Sequence, residues 1–150
     1  MATILAVITA LAIGWYTFRG KVYDAHLAED IEQMDKLSFE VKTPTKVPFK
    51  EMKVMDVEID GKQQAVISLI NVDKERLDIQ MSELKPEFSG VTSEQVVIGE
   101  DSQAKFIPNL SGRRILTWQE DDVFYEIIFY PKLTPREVSK RQLVKMAESF

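Results

Sequence analysis

From Met52 to Tyr130, apolar residues recur at every second position in short runs, and residues that favour turns close each run. Such alternation gives a strand one apolar and one polar face, which commits the segment to a sheet that buries a side. The clearest pair is Met52 to Ile59 and Gln64 to Ile70, separated by Asp60-Gly61, a dipeptide that supplies the positive φ angles of a tight hairpin. After a turn at Asn71 to Lys74, Leu77, Ile79 and Met81 continue the alternation as a third strand beside the second. Gln95 to Ile98 and Gln103 to Ile107 flank Gly99-Glu100-Asp101-Ser102 as another hairpin, and Arg114 to Gln119 and Val123 to Tyr130 flank Glu120-Asp121-Asp122 as a further one. The run VFYEIIFY at 123–130 is apolar on both faces except for Glu126, which marks it as the central strand. Glu126 is expected on the solvent side of the sheet, or paired with Arg113 or Arg114. Pro86 to Ser93 reads as a loop pinned by its one aromatic, Phe88, in position to border a groove.

The ends of the chain have other patterns. Ala2 to Phe18 carries no charged residue, and as a helix would be about 26 Å long, close to the thickness of a bilayer core. Trp15, Tyr16 and Phe18 gather at its end and Arg19 and Lys21 follow, as at a membrane–water interface. The alternatives are a buried N-terminal helix and a signal peptide cleaved near Ala10-Leu11-Ala12. Tyr23, Leu27, Ile31 and Met34 then recur at helical spacing, which predicts a helical stalk with a bend at Gly20. Leu37, Phe39 and Val41 alternate as a strand before Pro44 and Pro48. At the other end, Thr134-Pro135-Arg136-Glu137 has the form of a capping box with proline at the first helical position. It predicts an amphipathic helix from Pro135 whose buried side carries Val138, Leu143, Met146, Ala147 and Phe150. The expected organisation is a transmembrane anchor at 1–19, a helical stalk at 20–36 and one α+β domain at 37–150, an antiparallel sheet of about six to eight strands closed by that helix.

Two stretches, LSFEVKTPTKVPF at 37–49 and ILTWQEDDVFYEIIFYPKLTPREVSKRQLVKMAESF at 115–150, together resemble an uncharacterised extracytoplasmic domain family of Gram-positive membrane-anchored proteins and lipoproteins. The matching positions are Pro44, Thr45 and Pro48, then Trp118, Tyr125 and Ala147-Glu148-Ser149. The resemblance implies a strand entering a Pro-Thr-x-x-Pro segment, a tryptophan-bearing strand, an aromatic strand and a closing helix. It also implies a domain held outside the cell, and it brings no catalytic residues. The positive-inside count points weakly the other way, but only Arg19 and Lys21 oppose translocation.

Composition narrows the function. A net charge of −5 lacks the basic surface that neutralises phosphates, so nucleic acid is not an expected partner. Without cysteine there is no disulfide, thiolate metal site or thiol nucleophile. The single histidine, His26, has no second histidine to complete a zinc site and is remote in sequence from the serines of the domain. Six scattered glycines make no phosphate loop, and no cofactor is expected. The leading expectation is a membrane-anchored extracytoplasmic binding or accessory domain without catalytic activity, receiving a peptide, lipid or partner protein through Phe88, Trp118, Phe124, Tyr125 and Tyr130. The alternative is a structural subunit of a membrane complex that packs through its anchor and the stalk stripe Tyr23, Leu27, Ile31 and Met34. An enzyme built on carboxylates alone has the least support.

An anchor at 2–18 predicts that the chain stays in the membrane pellet after carbonate extraction and that protease added to protoplasts degrades the domain. Recovery of the intact chain in the carbonate supernatant would refute the anchor, and complete protection until lysis would reverse the side.

Overall fold

The computed structural model describes residues 20–31 and 36–150. The apolar stretch 2–18, the anchor as a whole and Met34 of the stalk stripe lie outside the described residues. Among those described, no helix is long and apolar enough to cross a membrane.

The chain folds as strands β1 (Tyr23–Asp24), β2 (Lys46–Val47), β3 (Lys53–Asp60), β4 (Gln64–Ile70), β5 (Arg76–Ser82), β6 (Glu94–Ile98), β7 (Ser102–Leu110), β8 (Arg113–Glu120) and β9 (Val123–Phe129), followed by the helix α1 (Lys140–Ala147). β1 and β2 pair in a small ribbon, and the other seven form one antiparallel sheet in the order β3-β4-β5-β9-β8-β7-β6. This sheet is two meanders, β3-β4-β5 and β6-β7-β8-β9, whose last strands pair with each other. Strand β9 therefore lies in the middle, as its two-sided apolar pattern predicts. The hairpin at Asp60-Gly61 forms where expected, with Gly61 at a φ of +62° that a side chain would strain.

The inward face carries the main core. Leu77, Ile79 and Met81 of β5 stand opposite Phe129, Ile127 and Tyr125 of β9, and all six are buried. At about 1.5–3 kcal/mol for each large apolar side chain, this row is a major contribution to stability. Trp118 stacks on its cross-strand partner Tyr125 with ring centroids 5.3 Å apart, and Phe150 meets both rings edge-on. Helix α1 closes this face with Leu143, Met146 and Ala147, and Val138 is buried just before it.

Four expectations need correction. The α+β class gives way to a mostly β fold, 43% strand and 10% helical, in which α1 is the only helix of seven or more residues among the described residues. That helix starts at Lys140 and not at Pro135, because Thr134 has another role. Its hydroxyl donates to the Arg76 carbonyl at 3.0 Å and accepts from the Arg76 amide at 3.1 Å, which ties the segment to the start of β5. Ser139 caps the helix instead, accepting from the Gln142 amide at 3.2 Å while the Gln142 side chain accepts from the Ser139 amide at 3.0 Å.

The expected stalk helix is also not formed over its described residues 20–31. Over 20–31 the chain runs through strand β1 and a single 3₁₀ turn at Leu27–Asp30. It lies against the domain: the Lys21 carbonyl accepts from Gln142 Nε2 at 2.8 Å, the Gly20 carbonyl accepts from Lys145 Nζ at 2.7 Å, and the Ala25 amide donates to the Thr45 carbonyl at 2.9 Å. Tyr23 is flanked by the ammonium groups of Lys21 and Lys50, Leu27 is fully buried, and Ile31 packs on the core. The apolar spacing is real, but the sheet satisfies it through tertiary contacts in place of helical ones. Finally, Leu37, Phe39 and Val41 join no strand, although all three pack against the core from an irregular segment.

Because Leu27 is a core residue, Leu27→Ala is expected to destabilise the domain by about 2–5 kcal/mol. Urea unfolding of the full chain reads this as a lower midpoint, and an unchanged midpoint would mean that the segment does not contribute to the core.

Candidate functional site

Cross-strand partners share a face, so the sheet's second face can be followed strand by strand. Ile107, Ile115 and Ile128 are successive partners on β7, β8 and β9 and form a small apolar cluster. Phe88 and Val91, from the segment joining β5 to β6, pack over it. The next row is polar throughout: Gln80 on β5, Glu126 on β9, Thr117 on β8, Lys105 on β7 and Gln95 on β6. Beyond it lie Phe124 on β9, its partner Gln119 on β8, and Gln103 on β7.

Where the β5–β6 segment stands off the polar rows, an open groove of about 160 Å³ remains. Its outer wall is Lys85, Pro86 and Phe88, and its floor includes Gln95, Gln103, Lys105, Thr117, Gln119 and Phe124. The groove therefore offers two ammonium groups, three amides, one hydroxyl and two aromatic rings, with no acidic side chain in its lining. Gln119 is held in place by its own amide, which donates to the Asp121 carbonyl at 2.9 Å in the β8–β9 turn. Lys85 and Lys105 form no ion pair among the described residues.

The five aromatic residues expected at a binding surface separate into three environments. Phe88 and Phe124 border the groove. Trp118 also touches it, but Trp118 and Tyr125 are buried and stacked in the main core. Tyr130 is occupied elsewhere on the second face: its hydroxyl donates to Asp78 Oδ2 at 2.8 Å, and burial together with that hydrogen bond pushes its pKa up to about 12. The stalk residues Tyr23, Leu27 and Ile31 contact the domain itself, and His26 is exposed on the N-terminal segment, away from the groove's lining.

The polar groove residues were not singled out from the sequence. Each occupies a position that alternates with a core residue, so the direction of its side chain follows from period two. That strands β6 to β9 lie side by side under one crossing segment is a matter of long-range pairing.

Glu126 departs from expectation. It is only 6% exposed, forms no ion pair or hydrogen bond among the described residues, and lies between Gln80 and Thr117. Burial raises its pKa above the ordinary range, and attraction to Arg113 offsets this only in part. The reason is positional, since a residue at the centre of the middle strand is screened by neighbours on every side.

Compared with known proteins, the chain matches no family model, no curated protein and no solved structure. The reading of the groove rests on its own chemistry.

A carboxyl whose pKa is raised by folding binds protons more tightly in the native than in the unfolded chain. Its contribution to stability falls as pH rises from the ordinary glutamate value of about 4.3 through the raised folded value. Glu126→Gln is therefore expected to be more stable than the parent at pH 7, with the advantage shrinking toward pH 4. Thermal unfolding across that range measures it, and an advantage that does not depend on pH would contradict the burial argument.

Proposed function

We propose that the chain is a membrane-tethered, extracytoplasmic binding domain without catalytic activity, whose ligand enters the groove between the β5–β6 segment and strands β6 to β9. The observation that carries this reading is the groove's lining: an aromatic ring on each side, Phe88 in the wall and Phe124 in the floor, with three amides, a hydroxyl and two ammonium groups that form no ion pair among the described residues. Such a set is suited to holding a partner by apolar contact and orienting it by hydrogen bonds. A reaction by acid–base or nucleophilic catalysis needs a base within reach of the substrate, and the lining residues supply no carboxylate or imidazole.

The tether is the uncharged stretch 2–18, with its aromatic end and following basic residues. The extracytoplasmic side is supported by the resemblance at 37–49 and 115–150. The alternative, a structural subunit packed through the anchor and the stripe Tyr23, Leu27, Ile31 and Met34, has less support, since Tyr23, Leu27 and Ile31 contact the domain itself, while the anchor and Met34 lie outside the described residues.

A fragment screen on ¹⁵N-labelled full-length chain in detergent micelles tests the reading. Hits are expected to shift the amides of Lys85, Phe88, Gln95, Gln103, Lys105, Thr117 and Gln119, and to lose affinity by about tenfold in Phe124→Ala. The fragments' own spectra should remain unchanged after prolonged incubation. Hits confined to other surfaces would overturn the groove, and conversion of any fragment would overturn the non-catalytic assignment.

A further inference from the structure

We propose that the occupant of the groove is an extended acidic segment of a partner protein, added as an eighth strand along the outer edge of β6 with its acidic side chains turned toward Lys85 and Lys105. This rests on the groove being the binding site and adds the chemistry of its ligand.

The two edges of the sheet are unlike. At one end, β3 carries Lys53, Asp56, Glu58 and Asp60 and has a register irregularity between Val54 and Asp56. Charges and bulges are how edge strands resist further pairing. At the other end, β6 pairs with β7 in regular register and with no other strand among the described residues, and it bears one charge, Glu94, which is paired with Lys140. Gln95 to Ile98 is an uncharged strand whose outer backbone groups have no strand partner among the described residues. An extended peptide gains main-chain hydrogen bonds from such an edge.

Charge and size choose the peptide. In a chain of net charge −5, the groove beside this edge is lined by two lysines that lack ion-pair partners among the described residues, and by no acid. The groove's volume of about 160 Å³ is small beside the roughly 300–1,000 Å³ of ordinary small-molecule pockets, but it is enough for side chains. Alternate residues of an added strand face the same side of the sheet, and β7, which bears Lys105, lies two strand spacings of about 4.8 Å from the added backbone. A lysine and a glutamate extended toward each other span that distance. Apolar surface continues at the rim, with Val97 on β6 47% exposed and Leu84, next to Lys85, 60% exposed. The recognised pattern is acidic residues at alternating positions in an extended chain.

The test uses full-length protein in detergent micelles and a fluorescein-labelled ten-residue peptide of alternating glutamate and valine. Fluorescence anisotropy is expected to show binding at least about tenfold tighter than that of the glutamine–valine analogue, and about tenfold weaker in Lys85→Glu and in Lys105→Glu. Circular dichroism verifies that both variants remain folded, and the outward position of the lysines makes this the expected result. The same peptide N-methylated at alternate residues, which cannot pair with the edge, should lose binding. Equal affinity for the glutamine peptide, indifference to both charge reversals, or retained binding of the N-methylated peptide would each overturn the proposal. Displacement by millimolar inorganic phosphate would overturn it in favour of a small anion. If fragments shift the groove amides while the acidic peptide does not bind, this proposal fails and the groove reading stands; if neither binds, both fail.

Discussion

The pairing of β5 with β9 is the contact on which the sheet depends. Each meander is made of hairpins that its own turns specify, but an isolated hairpin is marginally stable at best, and stability needs more strands sharing one apolar face. Leu77 must find Phe129, and Ile79 must find Ile127, across some fifty residues of intervening chain. Once they do, two half-sheets become one, and β9 is flanked on both sides. The entropy of closing so long a loop grows only slowly with length, whereas the side chains meeting across this seam are fully buried, so burial outweighs closure.

The chain ends hold the same face shut. The Pro44–Pro48 segment and the C-terminus, which are far apart in sequence, are joined by hydrogen bonds: the Thr45 amide donates to the Ser149 carbonyl at 3.0 Å, and the Lys46 amide donates to Ser149 Oγ at 3.0 Å. Ser149 Oγ in turn donates to the Met146 carbonyl at 2.7 Å and Glu148 Oε1 accepts from the Gly99 amide at 3.3 Å, linking α1 to the β6–β7 turn. Thr45, Lys46, Glu148 and Ser149 therefore have a structural use in this chain. They fix the closing helix and the N-terminal segment over one core.

Period-two patterning made the sheet legible residue by residue, from the Asp60-Gly61 hairpin to the central place of 123–130. Helical patterning was less reliable, for physical reasons that differ between the two ends. Thr134 has the local chemistry of a cap, yet hydrogen bonds to Arg76 use its hydroxyl, and Ser139 takes over five residues later. Tyr23, Leu27 and Ile31 have helical spacing, yet a short segment lying on a sheet can bury the same side chains with one 3₁₀ turn and a two-residue strand. In both places a tertiary partner outweighed a local preference worth about 1 kcal/mol. For the groove, Phe88 and Phe124 were legible as aromatics in a loop and on a strand, while Lys85, Lys105 and the three glutamines emerge only when strand order brings them under one crossing.

The groove itself follows from an unequal distribution of cover. Helix α1, the N-terminal segment and Phe49 all go to the inward face, leaving the β5–β6 segment to shield the other. That short crossing lies where it removes most apolar surface from water, over Ile107, Ile115 and Ile128, at about 1.5–3 kcal/mol for each isoleucine. Extending it across Thr117, Lys105 and Gln95 would strip water from an ammonium and two polar side chains with no acid in the lining to receive them. The segment therefore stops at the boundary between the apolar cluster and the polar row, with Phe88 packed on the cluster and bordering the groove. The open channel beside β6 is thus the consequence of a sheet with a second face apolar in one patch and polar in the next, covered by a chain segment long enough for only the first.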